Sequence, residues 1–311
     1  MLSVKNLIDT YSLTADDITQ ILDTAASFES VNNRAIKKVP ALRGRTIVNL
    51  FLEPSTRTKS SFELAEKRLS ADSLSMGGST SSVVKGESLA DTIQTNSAMN
   101  VDMFVCRAKL AGTPQRITEN TDAVVINGGD GKHQHPTQAM LDLYTIRKNF
   151  GHLDGLRVAI VGDLAHSRVC GSLAPALKTM GAEVTLVGPP TFQVDDPDWF
   201  GCPQTASLDD VIEDMDVVYM LRVQLERMEG AAIPSRREYN RLYGLDMTRV
   251  NRMKPDAIIC HPGPMNRGME INADVADCAR SRILNQVNAG VLTRMAELYL
   301  LLGGENNGLS A

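Results

Sequence analysis

Short apolar runs punctuate this chain at residues 46–52, 101–106, 123–127, 158–162, 183–187, 216–221 and 257–260. Each is too short for a helix and nearly continuous in Val, Ile, Leu or Met, the pattern of strands buried on both faces. Between several of them, apolar residues recur at helical spacing. Phe62, Ala65 and Leu69 share a face, as do Ala139, Leu143, Ile146 and Phe150, and Val169, Leu173, Leu177 and Met180. Thr14-Ala15-Asp16-Asp17 is a capping-box start for an earlier helix, with Ile18, Leu22 and Ala25 inward. A last helix carries Val291, Met295, Leu298 and Leu302 on one face and stops at Gly303-Gly304.

Buried strands alternating with amphipathic helices predict an α/β protein with parallel sheets covered on both faces. About half the strands precede residue 130 and half follow 155, so the pattern predicts two doubly wound parallel-sheet domains joined by interdomain helices. The first spans residues 1–136 and is completed by the C-terminal helix, 289–311; the second spans 137–288. A helix over 137–150 links them.

Composition narrows the class without identifying it. At 311 residues, 43% hydrophobic and 22% charged, the chain has ample material for buried cores. A net charge of −5 argues against general binding to nucleic acid or anionic membranes, so any anion site must be local. No apolar run reaches membrane-spanning length, and Asp9, Asp16 and Asp17 break a signal-peptide reading of the N-terminus. Cys106, Cys170, Cys202, Cys260 and Cys278 are far apart and lack zinc-finger or Cys-x-x-Cys spacing. Reduced thiols in a cytoplasmic protein are expected.

The chemistry concentrates where strands end. The run at 46–52 stops at Glu53-Pro54, and Ser55-Thr56-Arg57-Thr58 opens the next helical pattern. A helix start presents unpaired N–H groups and the positive end of the helix dipole; hydroxyls and a guanidinium fork beside it suit phosphate. The plainer alternative is a helix cap beside a surface arginine. No Walker motif occurs, which disfavours an ATP or GTP hydrolase. Residues 77–88 are small and polar with Lys85 near their end, either a solvated linker or a loop that delivers a cation. Arg107 directly follows a strand and by itself reads as an ordinary surface arginine. In His135-Pro136-Thr137-Gln138, proline suits the first helical position and puts His135 at the helix start, where the dipole favours a neutral imidazole able to donate to a carbonyl oxygen. His133-x-His135 lacks the carboxylate or cysteine partners of a metal site, so no metal is expected. Gly162-Asp163 followed by Arg168 has the look of a dinucleotide turn but lacks Gly-x-Gly-x-x-Gly. Arg222 and Gln224, on one side of a strand end, suit a carboxylate. His261-Pro262-Gly263-Pro264 makes a stiff turn whose carbonyls can face a ligand. Phosphate donors early and carboxylate arginines late predict a two-substrate transfer enzyme that closes across a cleft.

Ser55-Thr56-Arg57-Thr58, Arg107, His135-Pro136-Thr137-Gln138, Arg222-Val223-Gln224 and His261-Pro262-Gly263-Pro264 together resemble the carbamoyltransferase family, in its order, from about residue 45 to 295. The resemblance implies transfer of a carbamoyl group from carbamoyl phosphate to the amine of L-aspartate in pyrimidine biosynthesis, without a cofactor. It implies a catalytic homotrimer with shared active sites. Ser55, Thr56, Arg57 and Thr58 would bind the phosphate; Arg107, His135 and Thr58 the carbonyl oxygen; Gln138 and the Gly263 and Pro264 carbonyls the carbamoyl amide. Arg168, Arg222 and Gln224 would hold aspartate. Lys85 and a loop serine, Ser81 by alignment with Ser79 and Ser82 close by, would come from the neighbouring subunit. Whether regulatory or dihydroorotase-like chains attach is left open. An ornithine-type enzyme is disfavoured because Ser75-Met76-Gly77 lies early and Cys260 precedes the late turn. A non-catalytic scaffold is disfavoured because Arg57, Lys85, Arg107, His135, Arg168 and Arg222 are all present.

Overall fold

A computed structural model describes residues 2–77, 88–196, 201–224 and 235–303. The chain divides into two compact units, Met1–Tyr144 with Asn288–Ala311, and Thr145–Val287. In chain order the elements are α1 (Ala15–Ser27), α2 (Glu29–Asn32), β1 (Thr46–Phe51), α3 (Thr56–Arg68), β2 (Asp72–Gly77), α4 (Leu89–Ser97), β3 (Met103–Ala108), α5 (Thr113–Thr118), β4 (Val124–Asp130) and α6 (Pro136–Phe150). They continue as β5 (Arg157–Val161), α7 (Arg168–Thr179), β6 (Glu183–Val187), β7 (Gln204–Thr205), β8 (Val217–Met220), α8 (Arg236–Tyr243), α9 (Met247–Val250), β9 (Ile258–Cys260), α10 (Ala273–Ala276) and α11 (Ile283–Leu301). The unit boundaries fall within α6 and α11.

In the first unit a parallel sheet runs β2-β1-β3-β4. Thr46 pairs with Asp72, Ile47 with Met103, and Met103 with Val124. Val48, Leu50, Phe104, Cys106, Ile117 and Val125 form a core beside it. The chain moves outward from β1 to β2, then returns to place β3 on β1's other side, so the strand order reverses between β1 and β3. The second unit repeats the scheme with a parallel sheet ordered β7-β6-β5-β8-β9 and a reversal between β5 and β8. Val158 pairs with Val184 on one side and Val217 on the other, and Val217 pairs with Ile258. Ala159, Val161, Val218, Met220, Leu245, Ile259 and Ile271 pack together. Both units are doubly wound α/β folds with parallel sheets, as the apolar pattern predicts.

Two strands escape that pattern, and both lie at sheet edges. β2 reads Asp-Ser-Leu-Ser-Met-Gly and is largely exposed, with one neighbour in the sheet. β7 is two half-buried residues. Unlike β4 and β9, the buried edge strands at the other end of each sheet, β2 and β7 bury little, so their sequences carry no apolar run. The capping box at Thr14 forms as expected, with Asp17 N–H donating to Thr14 Oγ1 at 3.1 Å and Thr14 N–H to Asp17 Oδ2 at 3.0 Å. Cys106, Cys170, Cys202 and Cys260 are buried free thiols, and Cys278 is half-buried. Burial pushes the Cys106, Cys170 and Cys202 thiols up. No helix among the described residues is long and apolar enough to cross a membrane.

The C-terminal helix contributes an unusual buried group to the first unit. Glu297 is fully buried, and neither carboxyl oxygen has a hydrogen-bond partner among the described residues. One turn earlier, Arg294 donates to the Gly290 carbonyl at 2.9 Å and to Thr137 Oγ1 at 3.4 Å, with its guanidinium 5.0 Å from the Phe62 ring centroid. Burial pushes the Glu297 carboxyl from 4.5 up to about 8, against the pull of Arg294. The folded chain therefore keeps a proton there that the unfolded chain loses near 4.5. Its contribution to stability is full below pH 4.5 and declines as pH rises to about 8. Glu297→Gln, an isostere of the protonated acid, is expected to leave urea stability unchanged near pH 4.5. At pH 8 it should raise stability by roughly 4 kcal/mol, on the scale of about 1.4 kcal/mol per pKa unit. An equal effect at both pH values would contradict a raised carboxyl.

Candidate active site

β1 delivers the first group of side chains. After it the chain turns at Glu53-Pro54, and Ser55 takes the cap position of α3 in an extended conformation (φ −160°, ψ 96°). Its hydroxyl makes no cap hydrogen bond, so it does not consume the N–H groups at the helix start. No acidic residue occupies the first turn of α3. Arg57 is exposed there and Thr58 is buried. The helix dipole, backbone N–H groups, hydroxyls and a guanidinium therefore meet in one turn, the composition of an anion site.

β3 and β4 bring the next two residues to the same edge. Arg107 pairs with Phe51 across the sheet, and its carbonyl accepts from Leu52 N–H at 2.8 Å. Its Nη1 lies 3.0 Å from the Gly128 carbonyl, 3.4 Å from His135 Nε2 and 3.5 Å from Thr58 Oγ1. Its Nε lies 3.4 Å from Glu53 Oε2. A guanidinium only donates, so His135 Nε2 is the acceptor in this arrangement. The contacts to His135 and Thr58 are longer than a usual N–H hydrogen bond. The three polar ends thus converge on one point without being locked to each other.

A buried carboxylate shapes the segment that carries His135. Asp130 accepts from Gly112 N–H at 2.7 Å, Asn127 Nδ2 at 2.8 Å and Gln134 N–H at 3.1 Å. Asn127 in turn accepts from Gly129 N–H at 2.8 Å. Gly131 has a left-handed φ of +49°, and an added Cβ would lie 2.9 Å from Ala111 N, so glycine is required there. The two histidines go to different partners: His133 Nδ1 lies 3.1 Å from Asp130, while His135 faces Arg107. Among the described residues there is no His, Cys, Asp and Glu grouping suited to a metal ion. Pro136 opens α6, and the His135 carbonyl accepts from Gln138 N–H and Ala139 N–H at 2.9 and 3.2 Å. Gln138, one turn in, gives its Nε2 to Asp142 Oδ1 at 3.0 Å.

The second unit gathers its candidates at the ends of adjacent strands. After β5, Gly162 adopts φ +134°, and an added Cβ would lie 3.0 Å from Leu221 Cβ. Asp163 Oδ1 accepts from His166 N–H at 3.2 Å and lies 2.8 Å from its Nδ1. Ser167 caps α7 by accepting from Cys170 N–H at 3.2 Å, which sets the nearly buried Arg168 at the first helical position. Beside β5, Arg222, Val223 and Gln224 follow β8; Arg222 and Gln224 are half-buried and Val223 is buried. Beyond β8, the turn after β9 is held through His261. Its Nδ1 accepts from Gly263 N–H at 2.8 Å, so its Nε2 carries the proton toward Glu270 Oε1, 3.2 Å away. Asn266 Nδ2 donates to Glu270 Oε2 at 3.1 Å and to the Val223 carbonyl at 3.0 Å. One amide thus ties the turn bearing Gly263 and Pro264 to the strand end bearing Arg222 and Gln224.

The structure brings Thr58, Arg107 and His135 together, with Ser55, Thr56 and Arg57 on the same helix start and Gln138 one turn into α6. Lys85 and Ser81, with the alternatives Ser79 and Ser82, lie outside the described residues. Sequence reasoning missed Glu53, Asp130, Asp142, Asn266 and Glu270. Glu53 directly precedes the Pro-Ser-Thr-Arg-Thr run and Asp142 stands four residues after Gln138, a spacing that places both on one helix face.

These features define a paired doubly wound α/β protein with its polar groups at the reversals of strand order, where such sheets bind ligands. The aspartate/ornithine carbamoyltransferase carbamoyl-P binding domain matches residues 5–148, and the Asp/Orn binding domain of the same family matches residues 154–301. The chain belongs to the aspartate/ornithine carbamoyltransferase family. It is 54% identical over 301 residues to the aspartate carbamoyltransferase catalytic subunit of Thermobifida fusca, covering 97% of this chain and 96% of that one. The corresponding subunit of Syntrophotalea carbinolica is 52% identical with the same coverage. Among solved structures, the catalytic subunit of M. jannaschii aspartate transcarbamoylase superposes with a TM-score of 0.85 at 35% identity, covering 98% of this chain and 100% of that one. Aspartate transcarbamoylase from Trypanosoma cruzi in complex with N-(phosphonacetyl)-L-aspartic acid superposes with a TM-score of 0.87 at 29% identity, covering 96% of each chain.

Asp130→Ala is expected to remove a charged acceptor from Gly112, Asn127 and Gln134 together and to destabilise the first unit by about 3 kcal/mol or more. Urea unfolding followed by circular dichroism reads this directly. A loss under about 1 kcal/mol, the worth of one ordinary hydrogen bond, would mean that Asp130 does not organise the segment.

Proposed function

We propose that this chain transfers the carbamoyl group of carbamoyl phosphate to the amine of L-aspartate, giving N-carbamoyl-L-aspartate and phosphate. The observation that carries the reading is the convergence of Thr58, Arg107 and His135 beside the start of α3. Attack by the amine on the carbamoyl carbon drives charge onto the carbonyl oxygen. Arg107 and Thr58 stand as donors beside that oxygen, and His135 joins them in the tautomer that carries the proton on Nε2; preorganised donors at a developing charge are often the largest catalytic contribution. Ser55, Thr56, Arg57 and Thr58 hold the phosphate as it leaves with the bonding electrons. The departing phosphate accepts the amine proton, so no protein nucleophile is required. The carbonyls of Gly263 and Pro264 and the side chain of Gln138 hold the carbamoyl amide. Arg168 and Arg222, with Gln224, hold the two aspartate carboxylates as fork-like partners. Relatives at 54% and 52% identity, each named an aspartate carbamoyltransferase catalytic subunit, support aspartate as the acceptor. The reaction needs no cofactor or metal and belongs to pyrimidine biosynthesis in the cytoplasm.

The proposal extends to assembly. The chain acts as a catalytic homotrimer in which Lys85 and Ser81 serve the neighbouring subunit's site, and the word subunit in the relatives' names is consistent with further chains on the trimer.

A steady-state assay of carbamoyl phosphate with aspartate and with ornithine tests the reaction. Aspartate is expected to be carbamoylated, and turnover of ornithine in its place would overturn the reading. Arg57→Ala should abolish carbamoyl phosphate use in a folded protein. Arg222→Ala should raise the aspartate KM by roughly tenfold to a hundredfold, the worth of a charged hydrogen bond. The carbamoyl phosphate KM should change little; the opposite split would reverse the roles of the two units.

The shared site is tested by complementation. Lys85→Ala and His135→Ala, each inactive alone, are expected to recover activity when mixed and reassembled, because hybrid trimers contain sites with both residues intact. Continued inactivity of hybrids verified by native mass would assign Lys85 to its own chain.

A further inference from the structure

The geometry points to Asp142 as the positioning residue that turns the Gln138 amide so that its oxygen, and not its nitrogen, faces the bound ligand. A carboxylate only accepts, so the Gln138 group that meets Asp142 Oδ1 at 3.0 Å must be the NH2. With the NH2 engaged by Asp142 one helical turn on, the amide oxygen is the end left for another partner. Both side chains are buried, Asp142 completely. A buried carboxylate needs a compensating cation. Arg294, also buried, brings positive charge to this region, acting on Glu297 first and on Asp142 as well.

An amide oxygen accepts hydrogen bonds, and carbamoyl phosphate presents an NH2 donor. Acetyl phosphate has the same size and charge with a methyl in that place. Asp142 therefore sets selectivity for the carbamoyl donor. The inference rests on the proposed contact between Gln138 and the carbamoyl amide.

In Asp142→Asn the Gln138 amide no longer meets an acceptor-only partner, because the new side chain can present its own NH2. Gln138 then turns its oxygen inward and offers its NH2 to the ligand's NH2. The expected result is a fall of about tenfold or more in kcat/KM for carbamoyl phosphate, the usual consequence of facing two donors in a buried site. The inhibition constant of acetyl phosphate, measured by competition, should stay within about twofold, because a methyl is indifferent to the amide's orientation. A merely structural role would shift both.

A charge exchange provides the rescue. Gln138→Glu alone opposes two buried carboxylates and should be severely impaired. Adding Asp142→Asn supplies a donor to the new carboxylate, whose second oxygen again accepts from the ligand, and should restore at least about tenfold of the loss. Equal losses for the two phosphates in Asp142→Asn, no loss at all, or a double variant no better than Gln138→Glu would each overturn the inference. Failure of the underlying reading is distinct, because the unsubstituted protein would then not turn over carbamoyl phosphate.

Discussion

Parallel pairing constrains everything else in this chain. In a parallel ladder every strand ends at the same edge, so whatever follows a strand emerges beside whatever follows its neighbours. Phe51 opposite Arg107 and Cys106 opposite Asn127 fix that edge in the first unit. Ser55 to Thr58, Arg107 and His135 are far apart in sequence and adjacent in space for this reason. Val161 opposite Met220 does the same for Arg168 and Arg222 in the second. Each reversal of strand order splits the helices onto the two faces and opens a crevice at that edge. The sheets supply location; the helix starts supply the field.

Location alone does not hold a side chain in place, and the loops are held by buried polar groups with high stakes. Asp130 and Glu270 each gather several donors, the condition under which burying a carboxylate is tolerable. In the first unit Asn49 donates to both oxygens of the buried Glu66, which also accepts from Ser73, so β1, α3 and β2 share one network. Burial raises the Glu66 carboxyl even so. Such networks are costly when incomplete and rigid when complete. Rigidity is what preorganised donors at a developing charge require.

The amino-acid pattern reveals much of this architecture because buried parallel strands leave continuous apolar runs, which β1, β3, β4, β5, β6, β8 and β9 all show. The exposed edge strands β2 and β7 bury little and leave no such mark, whereas the edge strands β4 and β9 are buried and do. Among candidate site residues, those whose chemistry is local were legible: hydroxyls and an arginine at a helix start, a histidine before proline, an arginine and an amide two apart. Glu53, Asp130, Asn266 and Glu270 were not, since an isolated carboxylate or amide looks like a solvated surface group until the fold shows what it faces. Asp142 is the borderline case: its spacing from Gln138 is visible, but its burial is a property of the packed helix.

The buried cysteines carry an experimental consequence. A thiol reacts with an alkylating reagent only when it is both reached and deprotonated, and burial denies each condition. Cys106 sits on β3 in the first unit, while Cys170 and Cys260 sit on α7 and β9 in the second. Cys278, half-buried, is the accessible reference. Each native core thiol is therefore a clock that starts only when its own sheet opens. Timed alkylation read by peptide mass would record the opening rates of the two units separately, with no probe introduced and no residue replaced.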